Sequence, residues 1–167
     1  MIIIELKQAY VRLIPSVELT VYGTPKTKGR PRMTRYGRTY TPKETVEYEN
    51  LVRDTYRENS DNTYFDEDVP VKMTVLAYFR PAKHISKKKR KQLMEENYCI
   101  NKKDIDNISK TIMDALNKTA YDDDAQVSVL EGKKQYSEES RVHVVIEDLR
   151  REKYIDEHIR KNQIQSV

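Results

Sequence analysis

An alternating apolar pattern between positions 69 and 81 constrains the fold more than any other stretch of the chain. Five apolar residues stand at every second position there: Val71, Met73, Val75, Ala77 and Phe79. This period of two places side chains on one face of a strand. Segments 17–22, 127–136 and 141–149 read as further strands by the same pattern. We therefore predict a β-sheet in which segments 127–136 and 141–149 are antiparallel neighbours.

Two segments carry longer helical patterns. The first runs from about Pro42 to Asn59, with Thr41 as its N-cap and Glu44 completing a capping box. The second spans residues 104–118, and its apolar stripe repeats at three- and four-residue steps: Ile105, Ile108, Ile112, Ala115 and Leu116. A short helix is also expected at 86–96. Since strands and helices do not alternate regularly, we predict an α+β fold with a mixed sheet packed against two main helices.

The cellular setting follows from cysteine usage and hydropathy. Cys99 is the single cysteine of the 167 residues, so no internal disulfide can form and a reducing cytoplasm is expected. The three isoleucines near the start give way to charge within a few residues, which is too short for a signal peptide. We expect a cytoplasmic protein with no membrane association.

Acidic residues are concentrated between positions 104 and 124. Their arrangement has two possible interpretations. Asp106, Lys110 and Asp114 recur at four-residue steps, and these spacings are typical of ion pairs on a solvated helix face. Alternatively, Asp104, Asp106 and a third acid from the following loop form an oxygen cage for Mg²⁺ or Mn²⁺. Lys110 would then meet a phosphate oxygen or the attacking water. An EF-hand is excluded because its required glycine is absent.

Basic residues dominate residues 26–43, where no acid occurs and Tyr36 and Tyr40 are interleaved. Seven side chains carry this charge: Lys26, Lys28, Arg30, Arg32, Arg35, Arg38 and Lys43. A second basic run spans 83–91. Arginine grips phosphate with paired donors, and tyrosine can stack on a base. Two basic stretches beside an acidic pocket favour a polyanionic partner that is cut at a metal ion.

The string DIDNISKTIMDALN, followed by DDDAQV, resembles the RusA-type Holliday junction resolvases, which are bacterial and prophage-borne structure-specific endonucleases. The family pattern is Asp-x-Asp-Asn-x-x-Lys-x-x-x-Asp-x-Leu, then Asp-Asp-Ala-Gln. Its elements occur here at the following positions: Asp104, Asp106, Asn107, Lys110, Asp114, Leu116, Asp123, Asp124, Ala125 and Gln126. The resemblance covers residues 17–147, so we predict an endonuclease domain there. We further predict that residues 1–16 are an N-terminal extension and that residues 148–167 are a charged, helical tail.

The resemblance implies roles for individual residues. Asp104, Asp106 and Asp124 would be catalytic, metal-binding acids, and Lys110 the catalytic lysine, with Mg²⁺ or Mn²⁺ and no organic cofactor. Asp123 stays open as an alternative to Asp124. Seven side chains are predicted to contact DNA: Lys26, Lys28, Arg30, Arg32, Arg35, Arg38 and Lys103. The resemblance further implies a homodimer that makes paired symmetric nicks in a four-way DNA junction.

Two other functions fit the same residues. A non-catalytic DNA-binding recombination accessory protein would keep the basic stretches without hydrolysis. A metal-dependent enzyme for a small phosphorylated metabolite would use the acids, but its ligand would not need two long basic stretches.

Overall fold

The computed structural model describes residues 15–96 and 98–150. Nearly all of the predicted extension (1–16) and of the predicted tail (148–167) therefore lies outside the described residues. In chain order the elements are β1 (Ser16–Tyr22), β2 (Arg32–Met33), β3 (Thr39–Tyr40), α1 (Lys43–Asn59), β4 (Val71–Phe79), α2 (Lys87–Glu95), α3 (Ile105–Leu116), a 3₁₀ turn (Asp124–Gln126), β5 (Val127–Tyr136) and β6 (Arg141–Asp148). Among these helices, none is long and apolar enough to cross a membrane.

The main sheet has the strand order β1-β6-β4-β5. β6 pairs antiparallel with both β1 and β4, whereas β4 and β5 are parallel, so the predicted α+β class with a mixed sheet is confirmed. The prediction that β5 and β6 are neighbours is wrong, because β4 lies between them. Residues 137–140 cross the end of β4, where the Ser137 amide donates to the Phe79 carbonyl at 3.0 Å. β4 and β6 therefore take the two inner places of the sheet.

The sheet buries one face only. Alternate residues of β1, β4 and β6 are buried, and the residues between them are partly or fully exposed, as expected for a sheet covered by helices on one side. α1 covers this face with Tyr48, Val52 and Tyr56, and α3 covers it with the predicted stripe. α2 buries no residue. The two main helices of the prediction are therefore α1 and α3.

The start of α1 differs from the prediction. The helix begins at Lys43, Pro42 is the residue before it, and no side chain of the described residues caps it. The predicted capping box from Thr41 to Glu44 is therefore not formed. The Thr45 hydroxyl instead accepts a hydrogen bond from the Gly29 amide at 3.2 Å, so the first turn of α1 serves to hold the loop before it.

Candidate functional site

Two carboxylates stand at the start of α3. Asp104 is the residue before the helix, with extended backbone, and Asp106 lies in the first turn. Both are exposed, and within the described chain neither carboxylate has a hydrogen bond or ion pair. The partial positive charge of a helix N-terminus favours negative side chains there. Asp104 and Asp106 are therefore held in place by the helix and remain available to a ligand.

β5 fixes the position of this helix start. The Lys134 ammonium donates to the carbonyls of Asn101 at 2.9 Å and Lys103 at 2.8 Å, so it holds the backbone just before Asp104. Two residues earlier in β5, Gly132 lets α3 approach closely, because an added Cβ would stand 2.8 Å from Ile105 Cγ1. The position of Asp104 and Asp106 thus depends on the contacts of Lys134 and Gly132, although neither acid takes part in them.

Gln126 organises the second acidic loop. Its side-chain carbonyl accepts from the amides of Asp122 at 2.8 Å and Asp123 at 3.2 Å. Its side-chain amide lies within hydrogen-bonding distance of three carbonyls in the segment before β4: Phe65, Asp66 and Val69. One side chain therefore joins the 122–126 loop to residues 65–69 and sets where that loop lies.

The three consecutive aspartates of this loop have different contacts. Asp122 forms an ion pair with Lys118. Asp123 caps the 3₁₀ turn by accepting from the Ala125 amide at 2.9 Å. In the described part of the chain, Asp124 has neither a hydrogen-bond partner nor an ion-pair partner for its side chain. Asp124 is thus the available carboxylate of the three, whereas Asp123 is used in the turn.

A buried tyrosine shows where Asp124 lies relative to α3. The Tyr121 hydroxyl donates to the Met113 carbonyl at 3.0 Å, near the end of the helix. Burial raises the pKa of Tyr121, and the charges of Asp124 and then Asp114 raise it further. The side chains of Asp124 and Asp114 therefore both lie near Tyr121, beside the last turns of α3.

The predicted metal ligands do not form one cluster in the described chain. Asp104 and Asp106 are at the start of α3 beside Gly132. Asp124 lies near Tyr121, whose hydroxyl bonds to Met113, about 10 Å further along the helix axis than Asp106. Across residues 15–96 and 98–150, no three Asp, Glu, His or Cys side chains lie close enough together to hold a metal ion. Carboxylates have the right chemistry for Mg²⁺, but a single chain does not bring these three together.

Lys110 lies between the two groups on the exposed side of α3. The ion pairs expected with Asp106 and Asp114 are not formed among the residues described here. The Asp114 carboxylate instead accepts a hydrogen bond from the Lys28 ammonium. Lys28, predicted to contact DNA, therefore links the basic segment to α3.

The basic side chains divide into lysines that contact other parts of the chain and arginines that are exposed. Lys103 donates to the Pro25 carbonyl, and its pKa is lowered by burial and by the neighbouring charge of Lys26. Lys26 itself lies 3.7 Å from Glu44. The four predicted arginines are exposed on or beside the β2–β3 hairpin, without a side-chain partner among the described residues: Arg30, Arg32, Arg35 and Arg38. These arginines are the side chains available to a polyanion.

A groove separates the hairpin from the start of α1. It encloses about 600 Å³, and its walls include Lys26, Arg30, Arg32, Tyr40 and Lys43. Four cationic side chains and one acid, Glu44, line it, so the groove has the net positive charge and the size to hold a phosphodiester segment. Thr27 and Gly29, the sequence neighbours of Lys28, also line the groove.

Three residues with structural roles at the site were missed from sequence. The sequence patterns identify Gln126 only as part of the family motif, and they do not single out Gly132 or Lys134. The local pattern carries no signal for Lys134, because the apolar residues Val127 and Val129 stand on the opposite side of the strand from position 134.

Comparison with known proteins gave two findings. The family model described as "Endodeoxyribonuclease RusA" matches residues 22–147. The chain is also 36% identical over 142 residues to YqaN, an uncharacterized protein of Bacillus subtilis (strain 168), and the alignment covers 80% of this chain and 96% of that protein. The matched range contains the acids of α3, the 122–126 loop and the basic hairpin.

Proposed function

Because the chain belongs to the RusA endodeoxyribonuclease family, we propose that it is a structure-specific endonuclease that resolves Holliday junctions by metal-dependent phosphodiester hydrolysis, with paired symmetric nicks. One observation carries the proposal. Asp104, Asp106 and Asp124 are left without partners in the described chain, while Asp114, Asp122 and Asp123 beside them are paired or used as a cap. Unpaired carboxylates kept on packed elements are typical of a binding site.

The metal would be held by Asp104, Asp106 and Asp124. A divalent ion such as Mg²⁺ or Mn²⁺ supplies activation of water and neutralisation of phosphate charge when bound. Lys110, on the exposed side of α3 between the two acidic groups, would stabilise negative charge that develops on the phosphate. The arginines of the hairpin would hold the DNA backbone.

We further propose that a homodimer completes the site. β5 is an edge strand, and Val129 and Leu130 on it are exposed, a combination that favours pairing with another strand. Two β5 edges paired antiparallel about a two-fold axis would bring the start of α3 in one copy toward the Asp124 loop of the other. The acids that a single chain keeps apart would then meet twice in the dimer, which matches a two-fold symmetric junction.

A synthetic four-way junction with Mg²⁺ provides the test. Wild-type protein should nick it symmetrically and lose this activity in EDTA, and Asp104→Asn and Asp124→Asn should each abolish nicking while retaining junction binding. If either variant nicks at the wild-type rate, the assignment of the metal ligands is wrong. If wild-type protein binds the junction but never nicks it, in Mg²⁺ or Mn²⁺, the protein is the non-catalytic accessory factor. Absence of binding would revive the small-metabolite enzyme.

Mixing the two variants tests the shared site. In an equal mixture, half of the dimers carry one chain of each kind. If Asp104 and Asp124 act from different chains, each mixed dimer has one intact site of two, so about a quarter of the wild-type sites return. The recovered products should carry single nicks rather than paired ones. A mixture as inactive as its components would show that each site is built within one chain.

A further inference from the structure

Residues 30–41 form an exposed arm, which we call the arginine hairpin. All twelve residues are exposed, and the hairpin consists of two ladder pairs, Arg32 with Tyr40 and Met33 with Thr39. The arm therefore contributes nothing to the buried core.

The turn at the tip is closed by three hydrogen bonds. The Thr34 amide donates to the Arg38 carbonyl at 2.7 Å, and the Gly37 amide donates to the Thr34 carbonyl at 3.0 Å. The Arg38 amide donates to the Thr34 hydroxyl at 3.1 Å. Gly37 has φ +74°, a value that glycine adopts without strain, and such a residue completes a short hairpin loop. The turn thus places Tyr36 at the extreme tip.

The tip carries apolar surface as well as charge. Tyr36 is 86% exposed and Met33 is 71% exposed, with Arg35 next to Tyr36 and Arg38 one residue beyond Gly37. Phosphate binding accounts for the arginines, but it gives no reason for an aromatic ring at the tip. An aromatic ring among cationic side chains fits a partner that offers both a phosphate backbone and the face of a base.

The base of the arm is attached tightly. The Gly29 amide bonds to Thr45 of α1, and an added Cβ on Gly29 would stand 2.8 Å from the Thr45 hydroxyl and 3.0 Å from Pro42 Cγ. Lys28, the residue before Gly29, forms an ion pair with Asp114 of α3. The base of the arm therefore contacts both helices that cover the sheet, whereas its tip extends into solvent.

We propose that Tyr36 stacks on an unpaired or terminal base at a branch point, so that the arginine hairpin recognises the branched structure of the DNA. Inside an intact duplex both faces of each base pair are covered by neighbouring pairs, and a tyrosine finds a free face only where the stack is interrupted. The arginines raise affinity for any DNA, whereas Tyr36 discriminates branched from linear DNA. This inference deepens the proposed nuclease function and rests on it.

The test compares binding to a four-way junction and to a linear duplex of the same sequence, with the ends of both closed by hairpin loops so that no terminal base pair is free. Three full-length variants are needed: Tyr36→Ala, Tyr36→Phe, which keeps the ring, and Tyr22→Ala, which removes an exposed tyrosine from β1 as the control. Tyr36→Ala should weaken junction binding about tenfold and leave duplex binding unchanged, because one stacking contact is lost. Tyr36→Phe and Tyr22→Ala should match the wild type on both DNAs, and all three should keep the wild-type melting temperature.

A fluorescent base analogue provides a second readout. With 2-aminopurine at the branch point, binding of wild type and Tyr36→Phe should change its emission, and Tyr36→Ala should not. Equal loss of junction and duplex affinity in Tyr36→Ala, or no loss at all, would overturn the stacking role while leaving the nuclease proposal intact. If wild-type protein neither prefers nor nicks the junction, both proposals fail together.

Discussion

The acidic region, residues 104–126, and the arginine hairpin carry opposite charges and are built in opposite ways. The acids stand on packed elements: Gly132 and Lys134 place the start of α3, and Gln126 places the loop of Asp124. The hairpin is exposed throughout and is attached only at its base. Groups that must act at defined positions need rigid support, whereas charges that attract a polyanion act at longer range and tolerate exposure.

This difference predicts that substitutions in the acidic region, or in the β5 residues that support it, cost stability and those in the hairpin do not. Four experiments probe it, ordered from the largest expected effect on stability to the smallest.

Gly132→Val should destabilise the protein by roughly 2–3 kcal/mol, because the new side chain collides with Ile105. Valine otherwise suits a strand, so Ser128→Val in the same strand is the matched control and should be close to neutral. Chemical denaturation at fixed protein concentration measures both. In the double variant with Ile105→Ala, the loss should be smaller than the sum of the single losses. A strictly additive result would mean that the contact between β5 and α3 does not limit this position.

Gln126→Ala should cost roughly 1–2 kcal/mol, since it leaves carbonyls and amides of two loops without their partner. Junction cleavage, measured well below the melting temperature, should fall at least tenfold because Asp124 loses its fixed position. Gln126→Glu is the sharper variant, since it keeps the acceptor for Asp122 and Asp123 and loses the donor to residues 65–69. Unchanged cleavage in both variants would remove Gln126 from the support of the site.

The Lys28–Asp114 pair joins the two regions, and both side chains are partly exposed. Its coupling energy should therefore be below about 1 kcal/mol. The cycle of Lys28→Met, Asp114→Asn and the double variant measures it by denaturation, and added salt should reduce it. A coupling well above this value would mean that the hairpin is bound to the acidic region as strongly as the packed elements are.

Arg35→Gln and Arg38→Gln should leave the free energy of unfolding within about 0.5 kcal/mol of wild type. Each should instead weaken binding to duplex and junction alike and lower the slope of log affinity against log salt by about 1. An unchanged slope would show that the arginine does not contact phosphate. A fall in stability would contradict the contrast between the two regions.

The sequence predicted well those features that depend on side-chain period. The strand at 71–79 and the stripe of α3 follow from local patterns, because one buried face imposes a period on each element. The neighbours of β5 could not be predicted in this way. Which strands pair depends on how the 137–140 connection crosses the end of β4, and alternation in β5 and β6 contains no information about that path.

The capping box failed for a related reason. Thr41 and Glu44 have the right spacing, but the fold uses Thr45 to hold Gly29, a contact between segments that the local pattern cannot reveal. At the site, the metal-binding roles of Asp104, Asp106 and Asp124 stay a prediction, and the sequence did not reveal that the described chain by itself forms no cluster of metal ligands. The spacing of Asp106 and Asp124 fixes the length of chain between them and leaves open whether the chain returns to the same end of the helix.

The place of β6 in the sheet determines when, during synthesis of the chain, the sheet can be completed. β1 is synthesised first among the described strands, and its ladder partner is β6, the last of them. While a ribosome is still making residues 141–148, β1 has no strand paired with its edge, and the edge of β4 that pairs with β6 is also open. Such partly made chains expose strand edges that aggregate readily. Completion of the nuclease therefore waits for almost the whole described chain to emerge.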